Sequence, residues 1–175
     1  MAVGPGGRRT GEIAWMIAVT DSTNTLIESA FGSERSADMS RPWPAVIRSP
    51  GFLTTAAGRL VLADRPDLVE DLRAKPLPRL TPYTVNHWGQ IARTFTDVQA
   101  TGVAIEHEQN RLGYSCIAAG IRDADGTLVG AIGVVGRTGT FVAERIDRPV
   151  RRAAEELSRL FTGPAEPPPA GRRPS

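Results

Sequence analysis

Cysteine, lysine and histidine are scarce in this chain of 175 residues, which has one cysteine (Cys116), one lysine and two histidines (His87 and His107). A single cysteine excludes an internal disulfide. The histidines do not stand at metal-ligand spacing with each other or with another ligand of a known motif. No apolar run approaches the roughly 18 residues that would span a bilayer. The first twelve residues lack the apolar core of a secretory signal, so we expect cytoplasmic residence and no membrane partner.

Signatures of catalysis are also missing. The sequence has no Walker loop, no dinucleotide-binding fingerprint and no serine nucleophile elbow. A thiol-based reductase needs more than one thiol for its redox cycle, and Cys116 is alone. We therefore predict that the chain is not an enzyme and that it holds neither a metal nor a cofactor.

The basic excess is small, with a formal net charge of +2, although 20 of the 21 basic residues are arginine. No segment carries the clustered basic stripe that is typical of a groove-binding element. The densest basic cluster is interleaved with acidic residues, which favours a solvated helix face over a DNA contact. The cluster comprises Arg145, Arg148, Arg151 and Arg152, among Glu144, Asp147, Glu155 and Glu156.

Length and composition indicate one globular domain. The chain is 41% hydrophobic and 23% charged, which is ordinary for a folded protein. Its length suits one sizeable core and is too short for two ordinary domains. We predict a disordered N-terminus over 1–10, a folded domain over 11–162 and a disordered proline-rich tail over 163–175.

The stretch Gly102–Gly136 predicts three successive strands, over 103–108, 116–122 and 127–135. Asp125-Gly126 supplies the positive φ that a tight antiparallel hairpin needs between the last two strands. Gly120, Gly130 and Gly133 lie inside these strands. Glycines there indicate either a lined cavity or a helix packed closely on the sheet, and the sequence leaves both readings open.

Other elements surround this centre. Residues 12–19 and 25–31 predict an opening hairpin, and 45–48 a short strand. Thr54 or Thr55 is expected to cap a helix that reaches Ala63, and Asn86 one that reaches about Ala100. Further helices are expected over 67–74 and from Thr140 to Phe161, the last with a bend at Pro149. This order predicts an α+β fold, an antiparallel sheet with flanking helices, related to the GAF and PAS sensor folds.

Three motifs carry a resemblance to a known family. FLTTAAGRLVLADRP resembles "LHATALGKALLA-x-LP" of the isocitrate lyase regulator (IclR) family, and LPRLTPYTV resembles its "LPRYTPNTI". GVAIEHEQNRLGYSCIAAGIRDADGTLVGAIGVVG is similar to "GYAVDDEE-x-x-x-GVRCIAAPVFDADGRVVAAISVSG". Matching positions are Gly102, Glu108, Gly113, Cys116, Ile117, Ala118, Ala119, Asp125, Gly126 and Gly136. Together the motifs cover roughly residues 11–161.

This resemblance implies the effector-binding domain of a transcriptional regulator, which binds a small organic acid and works as a homodimer or tetramer. DNA binding would come only through a winged helix-turn-helix, and the eleven residues before Glu12 cannot build one. Either the chain is a fragment of a longer regulator or it is a stand-alone sensor. The alternative function is a stand-alone dimerisation or interaction module with a vestigial pocket.

The resemblance also implies an effector site, at Thr55, Ala56, Ala57, Glu106, Tyr114, Cys116, Gly133 and Val135. A helix that begins at 54–57 offers backbone amides and a positive dipole end to a carboxylate. Gly133 and Val135 stand where family members that grip small polar acids often carry serines, and Tyr114 adds an aromatic wall. We therefore expect a roomier, more apolar pocket, suited to an aromatic or medium-chain acid. His107 is interpreted as a surface residue.

Overall fold

The computed structural model describes residues 12–20, 23–31, 46–48 and 51–162. The predicted tails, 1–10 and 163–175, lie outside the described residues. The described elements, in chain order, are β1 (Ile13–Thr20), β2 (Thr23–Phe31), β3 (Val46–Arg48), a 3₁₀ turn (Gly51–Thr54), α1 (Ala56–Asp64), α2 (Pro66–Arg73), α3 (Trp88–Thr101), β4 (Val103–His107), β5 (Tyr114–Arg122), β6 (Leu128–Arg137) and α4 (Ala143–Thr162).

The strands form one antiparallel sheet in the order β3-β2-β1-β6-β5-β4. The predicted α+β fold and its hairpins are confirmed. At the β5–β6 turn the Asp123 amide donates to the Thr127 carbonyl over 3.0 Å, and Gly126 has φ 79°. Gly126 thus supplies the left-handed conformation that closes this hairpin.

Successive side chains of a strand point to opposite faces, so the sheet has two separate cores. The first three helices cover one face, which we call the α1 face, and its core includes Ile17, Phe52 and Ala118. On the opposite face α4 packs against β4, β5 and β6, with Ile117 and Val150 at the centre. Among the described residues no helix is long and apolar enough to cross a membrane.

Several boundaries differ from the sequence-based expectation. α3 begins at Trp88, and its N-cap is His87 instead of the predicted Asn86. The His87 ring nitrogen Nδ1 accepts a hydrogen bond from the Gly89 amide over 3.2 Å. α4 starts at Ala143, since Thr140 is used in a turn in which its amide donates to the carbonyl of Arg137. The strands after Gly102 agree with the prediction to within two residues at each end.

The strand glycines are explained by close neighbours within the sheet. A Cβ at Gly120 would lie 2.6 Å from Leu128 Cδ1, and a Cβ at Gly130 would lie 2.8 Å from the Ile17 carbonyl oxygen. No helix makes these close contacts. The two positions therefore accommodate neighbouring strands, and Gly133 accommodates both the Ile117 carbonyl of β5 and a side chain described below.

Candidate functional site

The N-terminus of α1 is capped as the sequence predicts. Thr55 has the extended backbone of an N-cap, with φ −114° and ψ 146°, and its hydroxyl oxygen accepts from the Gly58 amide over 3.1 Å. The amides of Ala56 and Ala57 precede that of Gly58, at the positive end of the helix dipole. Both alanines are buried. Hydrogen-bond donors and positive potential thus meet where the resemblance places a carboxylate.

Arg59 is a site residue that our sequence reasoning missed. Its side chain is buried and donates to three segments: Nε to the Leu53 carbonyl over 3.3 Å, Nη1 to the Ile105 carbonyl over 2.8 Å, and Nη2 to Gln109 Oε1. Burial lowers the pKa of the guanidinium, against the opposing charge of Glu106. Arg59 ties the start of α1 to β4 and to the loop that follows it. The signal for it was a charge inside the apolar run GRLVLA.

Glu106 is a buried carboxyl on β4, only 3% exposed. Burial raises its pKa to about 7, while the Gln109 amide and the Arg59 charge act in the opposite direction. Its Oε2 accepts from the Gln109 amide over 2.9 Å. A carboxyl with this pKa can either accept or donate a hydrogen bond near neutral pH.

Cys116 lies directly across from Glu106 in the sheet and next to Val135 of β6. Burial raises the pKa of the thiol well above its usual value, and the charge of Glu106 adds to that effect. A hydrogen bond from the Trp15 side chain acts in the opposite direction. The thiol is therefore protonated and unreactive, and Cys116 packs as a small polarizable residue of the core on the α1 face.

Trp15 of β1 is a second residue that the sequence reasoning missed. It pairs with Gly133 across the β1–β6 ladder, and a Cβ at Gly133 would lie 2.4 Å from Trp15 Cζ2. The indole ring occupies the space that a side chain at position 133 would need. The expectation of extra room beside Gly133 is therefore wrong, because an aromatic ring fills it.

Tyr114 and Val135 are buried on the α1 face, as is Cys116. The Arg111 guanidinium lies over the Tyr114 ring, 5.0 Å from its centroid. The sheet register and the packing of α1 on β4, β5 and β6 thus put all eight predicted site residues at this face or at the helix end above it.

The β4–β5 loop closes one end of this arrangement. The Thr81 hydroxyl donates to the Glu108 carbonyl over 2.6 Å, and the Thr84 hydroxyl donates to the Gln109 carbonyl over 2.7 Å. Thr54 joins the start of α1 to Asn110 across 3.2 Å. The loop that supplies the amide for Glu106 is therefore fixed on both sides.

His107 is exposed, as predicted, and lies on the opposite side of the sheet, where Nδ1 is 3.1 Å from the Ser115 hydroxyl. Within the described part of the chain, no three His, Cys, Asp or Glu residues are placed to hold a metal ion. The arrangement offers amide donors, a buried carboxyl and apolar walls, which suits the binding of an organic acid.

Comparison with known proteins gives the family. Residues 8–159 match the family model described as "Bacterial transcriptional regulator IclR C-terminal". The HTH-type transcriptional repressor AllR of Klebsiella pneumoniae is 28% identical over 109 residues, which cover 59% of this chain and 40% of AllR. The chain thus spans less than half the length of this curated relative.

Solved structures share the fold. The crystal structure of the Thermotoga maritima IclR is 26% identical with a TM-score of 0.73, over 87% of this chain and 62% of that chain. A double mutant of the PobR inducer-binding domain from Acinetobacter, solved with 3-hydroxybenzoic acid, is 20% identical with a TM-score of 0.70, over 85% and 88%. The chain belongs to the IclR family of bacterial transcriptional regulators, of which it contains the C-terminal effector-binding domain.

Proposed function

We propose that this domain senses an aromatic or medium-sized organic acid, which binds on the α1 face of the sheet. The observation that carries the proposal is the convergence of the α1 N-terminus with Glu106 and Cys116. Arg59 connects these parts through its hydrogen bonds to Leu53 and Ile105.

The acid's carboxylate binds at the amides of Ala56 and Ala57, where the helix dipole favours negative charge. Thr55 holds this turn in place through its bond to Gly58. Glu106, whose pKa is raised to about 7 by burial, donates a hydrogen bond to the acid when it is protonated. These groups bind the polar end of the ligand.

The apolar end of the acid lies against Tyr114, Val135 and the Trp15 ring that covers Gly133. Family members that bind small polar acids often have serine hydroxyls in this part of the site. Here the only hydroxyl among these residues is the phenol of Tyr114, which is attached to a large ring. The PobR domain has the same fold and is described with 3-hydroxybenzoic acid. The fold can therefore accommodate an acid of this size.

Isothermal titration of the 175-residue chain tests the proposal with benzoate, 3-hydroxybenzoate, hexanoate, pyruvate and glyoxylate. We expect at least one of the first three to bind more tightly than pyruvate and glyoxylate. A titration in which glyoxylate binds more tightly than every larger acid contradicts the assignment of ligand class. Silence across the panel favours the alternative, an interaction module with a vestigial pocket.

Ala56→Pro tests the role of the helix amides. Proline suits the first helical position, and Thr55 already has the extended backbone that precedes a proline, so the change removes mainly one N–H. A hydrogen bond to a charged group is worth about 1.5–3 kcal/mol, so affinity for the acid should fall roughly tenfold to a hundredfold. Ala143→Pro, at the first position of α4, is the matched control and should leave affinity unchanged.

We propose that the bound state is transmitted by rearrangement of a homodimer or tetramer. In a longer regulator it would reach DNA through a winged-helix domain outside this chain. The domain boundaries proposed from the sequence, 11–162, enclose every described element.

A further inference from the structure

We infer that Trp15 is the specificity-determining residue of the effector site, selecting planar aromatic acids over short polar ones. This inference rests on the proposed function, since it concerns the choice among acids at the same face. Trp15 lies on β1, outside the three motifs that carry the family resemblance.

The position of Trp15 is fixed by its partner across the ladder. A Cβ at Gly133 would lie 2.4 Å from Trp15 Cζ2 and 2.8 Å from Cε2, both within the indole ring. These distances are far shorter than a van der Waals contact, so no other residue at position 133 is compatible with this placement of the ring. The Ile117 carbonyl oxygen, 2.5 Å from the same Cβ, also excludes a side chain at this position, and glycine thus leaves the space that the indole occupies.

The indole also contacts the polar part of the site. The Trp15 side chain acts on the Cys116 thiol in the direction that lowers the thiol pKa, as an indole N–H does because it can only donate a hydrogen bond. Cys116 in turn lies opposite Glu106. Trp15 thus links β1 to the residues proposed to surround the acid, with its ring over Gly133 of β6.

Trp15 remains accessible to a ligand. The residue is only half-buried, unlike Ile13 and Ile17, its neighbours on the same face of β1. A partly exposed aromatic residue can take a second planar ring in offset or edge-to-face contact. Pyruvate and glyoxylate have no ring and cannot make this contact. Trp15 therefore distinguishes acids by their apolar part, in favour of those that carry an aromatic ring.

Titration of wild type and Trp15→Leu with benzoate and pyruvate tests the inference. The ratio of the two dissociation constants should shift toward pyruvate by about threefold to tenfold in the variant, the range expected for loss of an aromatic pair. Trp15→Phe should retain most of the preference for benzoate, because it keeps a ring. Trp88→Leu is the control, since Trp88 is also half-buried but lies on α3 under Arg73, 5.3 Å from the ring centroid.

The outcomes separate the two proposals. An unchanged ratio in Trp15→Leu, with benzoate still bound, overturns the inference and leaves the proposed function standing. Failure of the wild-type chain to bind any acid overturns both. If Trp15→Leu does not fold, NMR of the wild type replaces it, with the Trp15 indole N–H resonance assigned by its loss in Trp15→Phe. A change in the chemical shift of this resonance with benzoate but not with pyruvate supports the inference. No change while benzoate is bound overturns it.

Discussion

At the scale of single residues, Glu106 is a buried carboxyl whose charge is only partly compensated by a nearby arginine. Arg59 is near enough to lower the pKa of Glu106, but its donors go to two carbonyls and to Gln109. Burial outweighs these effects and raises the pKa to about 7. The neutral form of the carboxyl is thus the one that the folded protein favours, which links stability to pH.

Glu106→Gln should flatten this dependence. In the unfolded chain the pKa of this carboxyl is its ordinary value of 4.5, so between pH 4.5 and about 7 the folded protein binds one more proton than the unfolded chain. The stability that this proton contributes is complete below pH 4.5 and is lost as the pH rises from there through 7. The loss is about 3 kcal/mol at most, at 1.36 kcal/mol per pKa unit. Urea unfolding at pH 5, 6, 7 and 8 measures the free energy of unfolding of both proteins.

We expect the wild type to lose stability relative to Glu106→Gln over this range. The other ionisable groups are present in both proteins, so their effects largely cancel in the difference. Parallel curves for the two proteins would show that Glu106 is ionised throughout.

At the scale of elements, the junction between the 3₁₀ turn and α1 depends on a close backbone approach. A Cβ at Gly58 would lie 2.3 Å from both the Cα and the carbonyl oxygen of Phe52. Phe52 is fully buried, and Gly58 lies in the turn of α1 that Thr55 caps. A side chain at position 58 must therefore displace the helix end that presents the proposed anion-binding amides.

Gly58→Ala should lower the free energy of unfolding by about 1–3 kcal/mol or more, since overpacking outweighs the gain of about 1 kcal/mol in helix propensity. Gly139→Ala is the matched control, because nothing lies within 4 Å of its added Cβ and its φ is not in the left-handed region. Denaturant midpoints of the two variants give the comparison. Equal stability of Gly58→Ala and wild type would contradict the close packing.

The elements were predictable to the extent that their signals are local. Apolar runs and the Asp125-Gly126 turn gave the three strands after Gly102, and Thr55 gave the α1 cap. The His87 cap was missed because a ring nitrogen is an uncommon helix cap. Trp15 and Arg59 were missed because their roles depend on Gly133 and Ile105, which are distant in sequence and meet only through the fold.

At the scale of the whole molecule, one sheet separates two cores. Cys116 and Ala118 of β5 face α1, whereas Ile117 and Ala119 face α4. A ligand that moves β5 on the α1 face therefore also moves residues packed against Val150 and Ala154 of α4. The sheet gives a physical connection between the proposed site and the opposite surface of the domain.

Large apolar side chains are exposed on this molecule, including Ile27 at 57%, Leu160 at 69% and Phe161 at 57%. Exposed apolar residues of this size favour association when they lie together in a patch. We predict that light scattering after size exclusion gives a mass at two or four times 18.7 kDa.

If effector state is transmitted through the assembly, a saturating acid should change the dimer-to-tetramer ratio or the concentration at which subunits separate. A mass of one chain at every concentration, with and without acid, would contradict the proposed assembly, and any signal would then have to pass through a different protein.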